Sequence, residues 1–122
     1  MRLPPQEAVL LRIFLGEDDR AGGMPLYEAL ILRAREMGMA GATVLRGPMG
    51  FGHGARLHTT KILQLSADLP MIVEMVDSQP KIDAFLEAIE PMIGSGLVTL
   101  EKATIIRYGS CRLSGQYPGV RT

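Results

Sequence analysis

The chain has 122 residues, of which 47% are hydrophobic and 21% charged, enough apolar material for one folded core and too little length for two domains. Thirteen lysines and arginines balance thirteen aspartates and glutamates, so no net field favours nucleic acid or an anionic membrane, and any anion site must be local. No run of about 18 apolar residues is present, which excludes a membrane-spanning helix; with Cys111 standing alone and Arg2 and Glu7 interrupting any signal-like core, a reducing cytoplasm is the expected location.

Residues 8–15 are a short apolar run that ends at Gly16 and the acidic Glu17-Asp18-Asp19, the signature of a first strand. Gly22-Gly23 breaks the chain, and Pro25 suits the first turn of a helix. Leu26, Leu30, Ile31, Ala34 and Met37 then recur at helical spacing, predicting about four turns stopped by Gly38 or Gly41. Residues 42–46 read as a second strand, followed by a glycine-rich excursion through Gly47, Gly50, Gly52 and Gly54. Residues 62–65 and 69–76 read as one long third strand or two pieces, with Pro70 suggesting a bulge or an edge. Ser78 is placed to cap a second helix with Pro80 in its first turn, and Ile82, Phe85, Leu86, Ile89 and Ile93 trace its apolar face. Beyond Gly94-Ser95-Gly96, residues 97–108 form the last strand, leaving 1–109 as the domain and 110–122 as a polar, flexible tail.

The order β-α-β-β-α-β is the split βαβ arrangement, so the expected class is α+β with a ferredoxin-like four-stranded antiparallel sheet and two helices on one face. The other face decides whether such a domain stays alone. Val9, Leu11, Ile13 and Leu15 are apolar on one side of the first strand, and Ala8, Leu10 and Phe14 are apolar on the other; the third strand repeats this with Met71, Val73 and Met75 against Ile72 and Val76. Covering roughly ten aliphatic side chains on association is worth at most about 1.5 kcal/mol each, so self-association is expected. Arg12 and Glu74 are the two intrusions into these apolar strands, which makes them candidates for a buried or interfacial ion pair.

Chemistry concentrates after the second strand. Arg46 and Arg56 flank glycines whose bare backbone lets N–H groups approach an anion, and the segment is open to two readings, a phosphate or carboxylate cradle or a hairpin loop without ligand. No phosphate-loop or dinucleotide fingerprint is present. Met49 and Phe51 place apolar side chains on this loop. His53 and His58, with Cys111 as a conjectural third ligand, are the only basis for a copper or zinc site. No nucleophile with a base, and no pair of carboxylates at working spacing, supports an enzyme.

Ile13-Phe-Leu-Gly-Glu-Asp-Asp19, Pro25-Leu-Tyr-Glu28, Arg46-Gly-Pro-Met-Gly-Phe-Gly-His53 and Leu69-Pro-Met-Ile-Val-Glu-Met-Val-Asp77 together resemble the PII-like proteins of domain of unknown function 190. The resemblance covers about residues 7–109 and implies a homotrimer with sheets packed round a central axis, akin to PII signal transducers and the CutA family. It implies a signalling role without catalysis: an adenine nucleotide or other anionic metabolite bound at inter-subunit clefts, and a partner such as a membrane channel or transporter regulated through the loop. By position it assigns ligand contacts to Arg46, Gly47, Gly50, Phe51, Gly52, His53 and Arg56, and to Lys102 and Arg107 on the last strand. The alternative is a CutA-like metal-tolerance protein; no nucleic-acid partner and no obligatory cofactor is implied.

Overall fold

The computed structural model of the chain describes residues 5–51, 58–59, 69–94 and 96–109. Strand β1 (Gln6–Gly16) leads into a minimal hairpin of β2 (Arg20–Ala21) and β3 (Met24–Pro25), then helix α1 (Leu26–Glu36) and strand β4 (Thr43–Arg46). A second two-residue ladder, β5 (Met49–Gly50) with β6 (His58–Thr59), precedes β7 (Pro70–Asp77), helix α2 (Gln79–Ile93) and β8 (Leu97–Ile105). The main sheet runs β4-β7-β1-β8 with every pair antiparallel, the ferredoxin-like order the sequence calls for.

Each helix ends where its sequence supplies a stop. Ser78 caps α2, its hydroxyl accepting the Lys81 N–H, and Pro80 lies in the first turn. At the end of α1, Gly38 takes φ +73°, its N–H bonds to Arg35 and the Met39 N–H reaches back to Ala34, a Schellman closure in which buried Met39 meets buried Ala34. Helix α1 is shorter than its apolar spacing predicts, 11 residues or about three turns, because Pro25 is its N-cap with extended backbone and Met37 is its C-cap, so neither end of the predicted stretch is helical. Pro70 marks neither a bulge nor an edge: it is the first residue of an interior strand whose ladder with β1 is unbroken from Gly16–Pro70 to Val9–Asp77, a position where its missing N–H is harmless. Residues 62–65 and the tail 110–122 lie outside the described residues.

The last strand stops at Ile105 rather than Tyr108. Its partner β1 begins at Gln6, opposite Ile105, and the next position in register faces Pro5, which has no N–H to offer a ladder, however strand-like Ile106 is. Residues 106–108 instead turn away, and the Tyr108 hydroxyl donates to the Ala40 carbonyl at 2.8 Å.

Both helices lie on one sheet face, where Leu11, Ile13, Leu30, Val73, Ile82, Phe85 and Ile89 have no exposed surface. Each such side chain contributes about 1.5–3 kcal/mol by leaving water. Asp77 is the one fully buried charged residue in this layer among the described residues. Its carboxylate accepts the N–H of Ala40 and of Ser78, both at 2.8 Å, tying the loop after α1 to the start of α2.

The register explains the open face. One cross-strand row is apolar across all four strands, Leu45–Ile72–Phe14–Leu97; the next is polar, Thr43–Glu74–Arg12–Thr99. Arg12 and Glu74 are directly opposite, as the sequence anticipates: Arg12 Nε donates to Glu74 at 2.8 Å and a second guanidinium nitrogen reaches Glu101 at 3.3 Å. The Glu74 hydrogen bond raises the Arg12 guanidinium above its ordinary value against partial desolvation, with Glu101 adding to the effect, so the cation of this cluster does not titrate in any working range. Of the apolar row, Leu45 and Leu97 remain 45% and 59% exposed in the single chain.

Candidate ligand-binding site at the loop base

Strand β4 ends at Arg46; the next pair in register keeps one bond, the Gly47 N–H donating to the Pro70 carbonyl at 2.7 Å, but Pro70 has no N–H to return, so the ladder stops there with the segment's entry and return held together. A Cβ at Gly47 would stand 2.9 Å from Pro70 Cγ, so glycine is favoured there by the rigid Pro70 ring packed over it. Gly50 also faces the Pro70 ring, while Met49 and Phe51 project outward, Phe51 being 70% exposed. Arg46, Gly47 and Gly50 are thus brought together around Pro70. Gly52, His53 and Arg56 lie outside the described residues, as does Cys111, and of His58 only the backbone pairing with Gly50 is described.

The guanidinium of Arg46 has a partner: an NH2 nitrogen donates to the carboxylate of Glu17. Glu17 follows the end of β1 and is set there by its own backbone, whose N–H donates to the Leu69 carbonyl at 2.8 Å. The turn behind it is closed by Asp19, which accepts the Gly16 N–H on its carboxylate at 3.0 Å and the Leu26 N–H on its carbonyl at 2.7 Å. One residue therefore holds both feet of the glycine-rich segment, the entry through Arg46 and the return through Leu69. Sequence reasoning singled out Arg46 and missed Glu17; the signal was the acidic Glu17-Asp18-Asp19 run placed directly after a strand.

Lys102 and Arg107 do not join this cluster within one chain. Arg46 is level with Leu15 through Met71, whereas Lys102 pairs with Val9 on the opposite edge strand. Three strand spacings of about 4.8 Å and six residues of about 3.3 Å put their backbones about 25 Å apart. Arg107 belongs to a separate open groove of about 530 Å³ at the other end of the outer face, floored by Leu10 and Val76 and walled by Thr43, Ile105 and Tyr108. Among the described residues no three His, Cys, Asp or Glu side chains are grouped to hold a metal. No described helix is long and apolar enough to cross a membrane.

An antiparallel β4-β7-β1-β8 sheet with both helices on one face, and a glycine-rich segment leaving beside an arginine at the end of its second main strand, define an α+β ferredoxin-like fold. The chain belongs to the DUF190 family (uncharacterized ACR), which matches residues 8–105. A UPF0166 protein of Aquifex aeolicus is 43% identical over 97 residues, 80% of this chain and 91% of that protein. Another, from Methanocaldococcus jannaschii, is 32% identical over 95 residues, 77% of this chain and 87% of that one. Among solved structures, the nitrogen regulatory PII-like protein CPII of Thiomonas intermedia K12, bound to ADP, AMP and bicarbonate, superposes with a TM-score of 0.65 at 16% identity, covering 85% of this chain and 92% of CPII. The apo form of CPII gives 0.60 at 14% identity over 85% and 97%.

Proposed function

We propose that this chain is a PII-like, ligand-sensing regulatory protein without catalytic activity, which assembles as a homotrimer in the cytoplasm. In this reading it binds an adenine nucleotide or another anionic metabolite at clefts between subunits. The loop after β4 then engages a partner, such as a membrane channel or transporter. The observation that carries the reading is the loop base, where Arg46 and the close-packed Gly47 backbone offer a cation and a narrow approach in a fold shared with CPII, whose structure holds ADP, AMP and bicarbonate. The same reading assigns further ligand contacts to Gly50, Phe51, Gly52, His53 and Arg56, and to Lys102 and Arg107 of a neighbouring subunit.

Self-association follows from the open sheet face. An apolar row spanning four strands, with Leu45 and Leu97 still exposed, supports covering of this face by further copies. Isothermal titration of the purified protein with ATP, ADP, AMP, cyclic AMP and S-adenosylmethionine tests the ligand class. Saturable heat with at least one nucleotide, weakened about tenfold in Arg46→Gln by loss of a charge-assisted contact, is the expected result. Heat-silent titrations throughout overturn it, and stoichiometric copper or zinc retention lost in His53→Ala would favour the metal-tolerance alternative.

A further inference from the structure

We infer that Glu17 is an internal competitor for the anion site at Arg46, an autoinhibitory carboxylate that sets how strongly an anionic ligand must bind. The inference rests on the proposed ligand site and adds its regulation. Arg46 is the described cation at the loop base, and its charge is already met by the Glu17 carboxylate. An incoming phosphate or carboxylate therefore finds the guanidinium neutralised and must displace Glu17 or share its donors against like-charge repulsion.

Glu17 suits that role because it is held in place before any ligand arrives. Its side chain is only 22% exposed, against 55% for Arg46. Its backbone N–H is fixed on Leu69, and the turn that carries it is locked by Asp19 on Gly16 and Leu26. A competitor already ordered by its backbone loses little further freedom in holding the guanidinium, unlike an isolated surface pair. The apparent affinity of every anion that uses Arg46 is then lowered by one common factor, the reciprocal of the fraction of molecules in which the guanidinium is free. For a partly exposed pair that factor is about two to five.

Glu17→Gln removes the charge and keeps the side-chain shape and the backbone bond to Leu69, so the fold is retained. The experiment compares wild type, Glu17→Gln, Arg46→Gln and the double variant by isothermal titration with ADP and with inorganic pyrophosphate, which carries no base. The expected result is a gain of about two- to fivefold for both probes in Glu17→Gln, absent when Arg46→Gln is also present. An unchanged affinity, a loss of affinity that makes Glu17 a ligand contact, or a gain that survives in the Arg46→Gln background each overturns the inference. Nucleotide binding without a Glu17→Gln gain sinks this inference alone; silence in all four proteins sinks the ligand reading and the inference together.

Discussion

Replacing Leu97 by aspartate probes the open face where the single chain leaves it most exposed. Leu97 ends the Leu45–Ile72–Phe14–Leu97 row and keeps 59% of its surface in water, so the isolated fold loses little when it becomes polar. Full burial of a leucine is worth about 1.5–3 kcal/mol; the exposed fraction leaves about 1–2 kcal/mol per copy for association, hence about 3–5 kcal/mol in a trimer, before the penalty of a buried carboxylate is added. That corresponds to a loss of at least two orders of magnitude in the assembly constant. Native mass spectrometry across a micromolar dilution series should show wild type as trimer and Leu97→Asp as single chains. Circular dichroism should match between the two. Leu32→Asp is the control, since Leu32 is 47% exposed on α1, on the helical side of the sheet, and should leave the mass unchanged. A Leu97→Asp protein that stays trimeric at the lowest concentration refutes the assignment of this face, and a wild type that is a single chain at every concentration refutes self-association itself.

Two further outcomes follow from named contacts. Arg12→Glu would bring a third carboxylate beside Glu74 and Glu101, next to Leu10 and Phe14, and should dissociate the assembly, with sedimentation as the readout; an unchanged sedimentation coefficient would place this cluster outside the interface. Asp77→Ala leaves the half-buried N–H groups of Ala40 and Ser78 without their acceptor, at up to about 1–3 kcal/mol each, so the unfolding free energy from urea denaturation should fall by about 2–6 kcal/mol, and a loss under about 1 kcal/mol would mean that water replaces the carboxylate.

The elements most readable from the sequence were those whose evidence is local. The Ser78 cap, the Gly38 stop and the two-sided apolar character of residues 8–15 and 71–76 each depend on neighbours within a few positions. The Arg12–Glu74 pair was also accessible, because two isolated charges in adjacent apolar strands stay ionised at least cost by meeting. What escaped is non-local. Glu17 meets Arg46 across 29 positions and a strand order in which β7 lies between β1 and β4. Asp77 reads only as the end of a strand until the loop at Ala40 is folded over it. The end of the last strand is set not by Ile106 but by where β1 begins.

The distance across the sheet links ligand binding to assembly. Arg46 and Lys102 sit on opposite edge strands about 25 Å apart, too far for one small anion to bridge, so a site that uses both needs two copies in head-to-tail contact. That requirement makes a quantitative statement about mixed assemblies. Arg46→Gln and Lys102→Gln proteins, each defective alone, are mixed in equal amounts, dissociated and reassembled. A site then works only when its Arg46 comes from a Lys102→Gln copy and its Lys102 from an Arg46→Gln neighbour. Random assembly makes about one quarter of sites whole. Titration with ADP should recover about a quarter of the wild-type stoichiometry at wild-type affinity, and no recovery from verified mixed trimers would mean that the two residues never share a ligand.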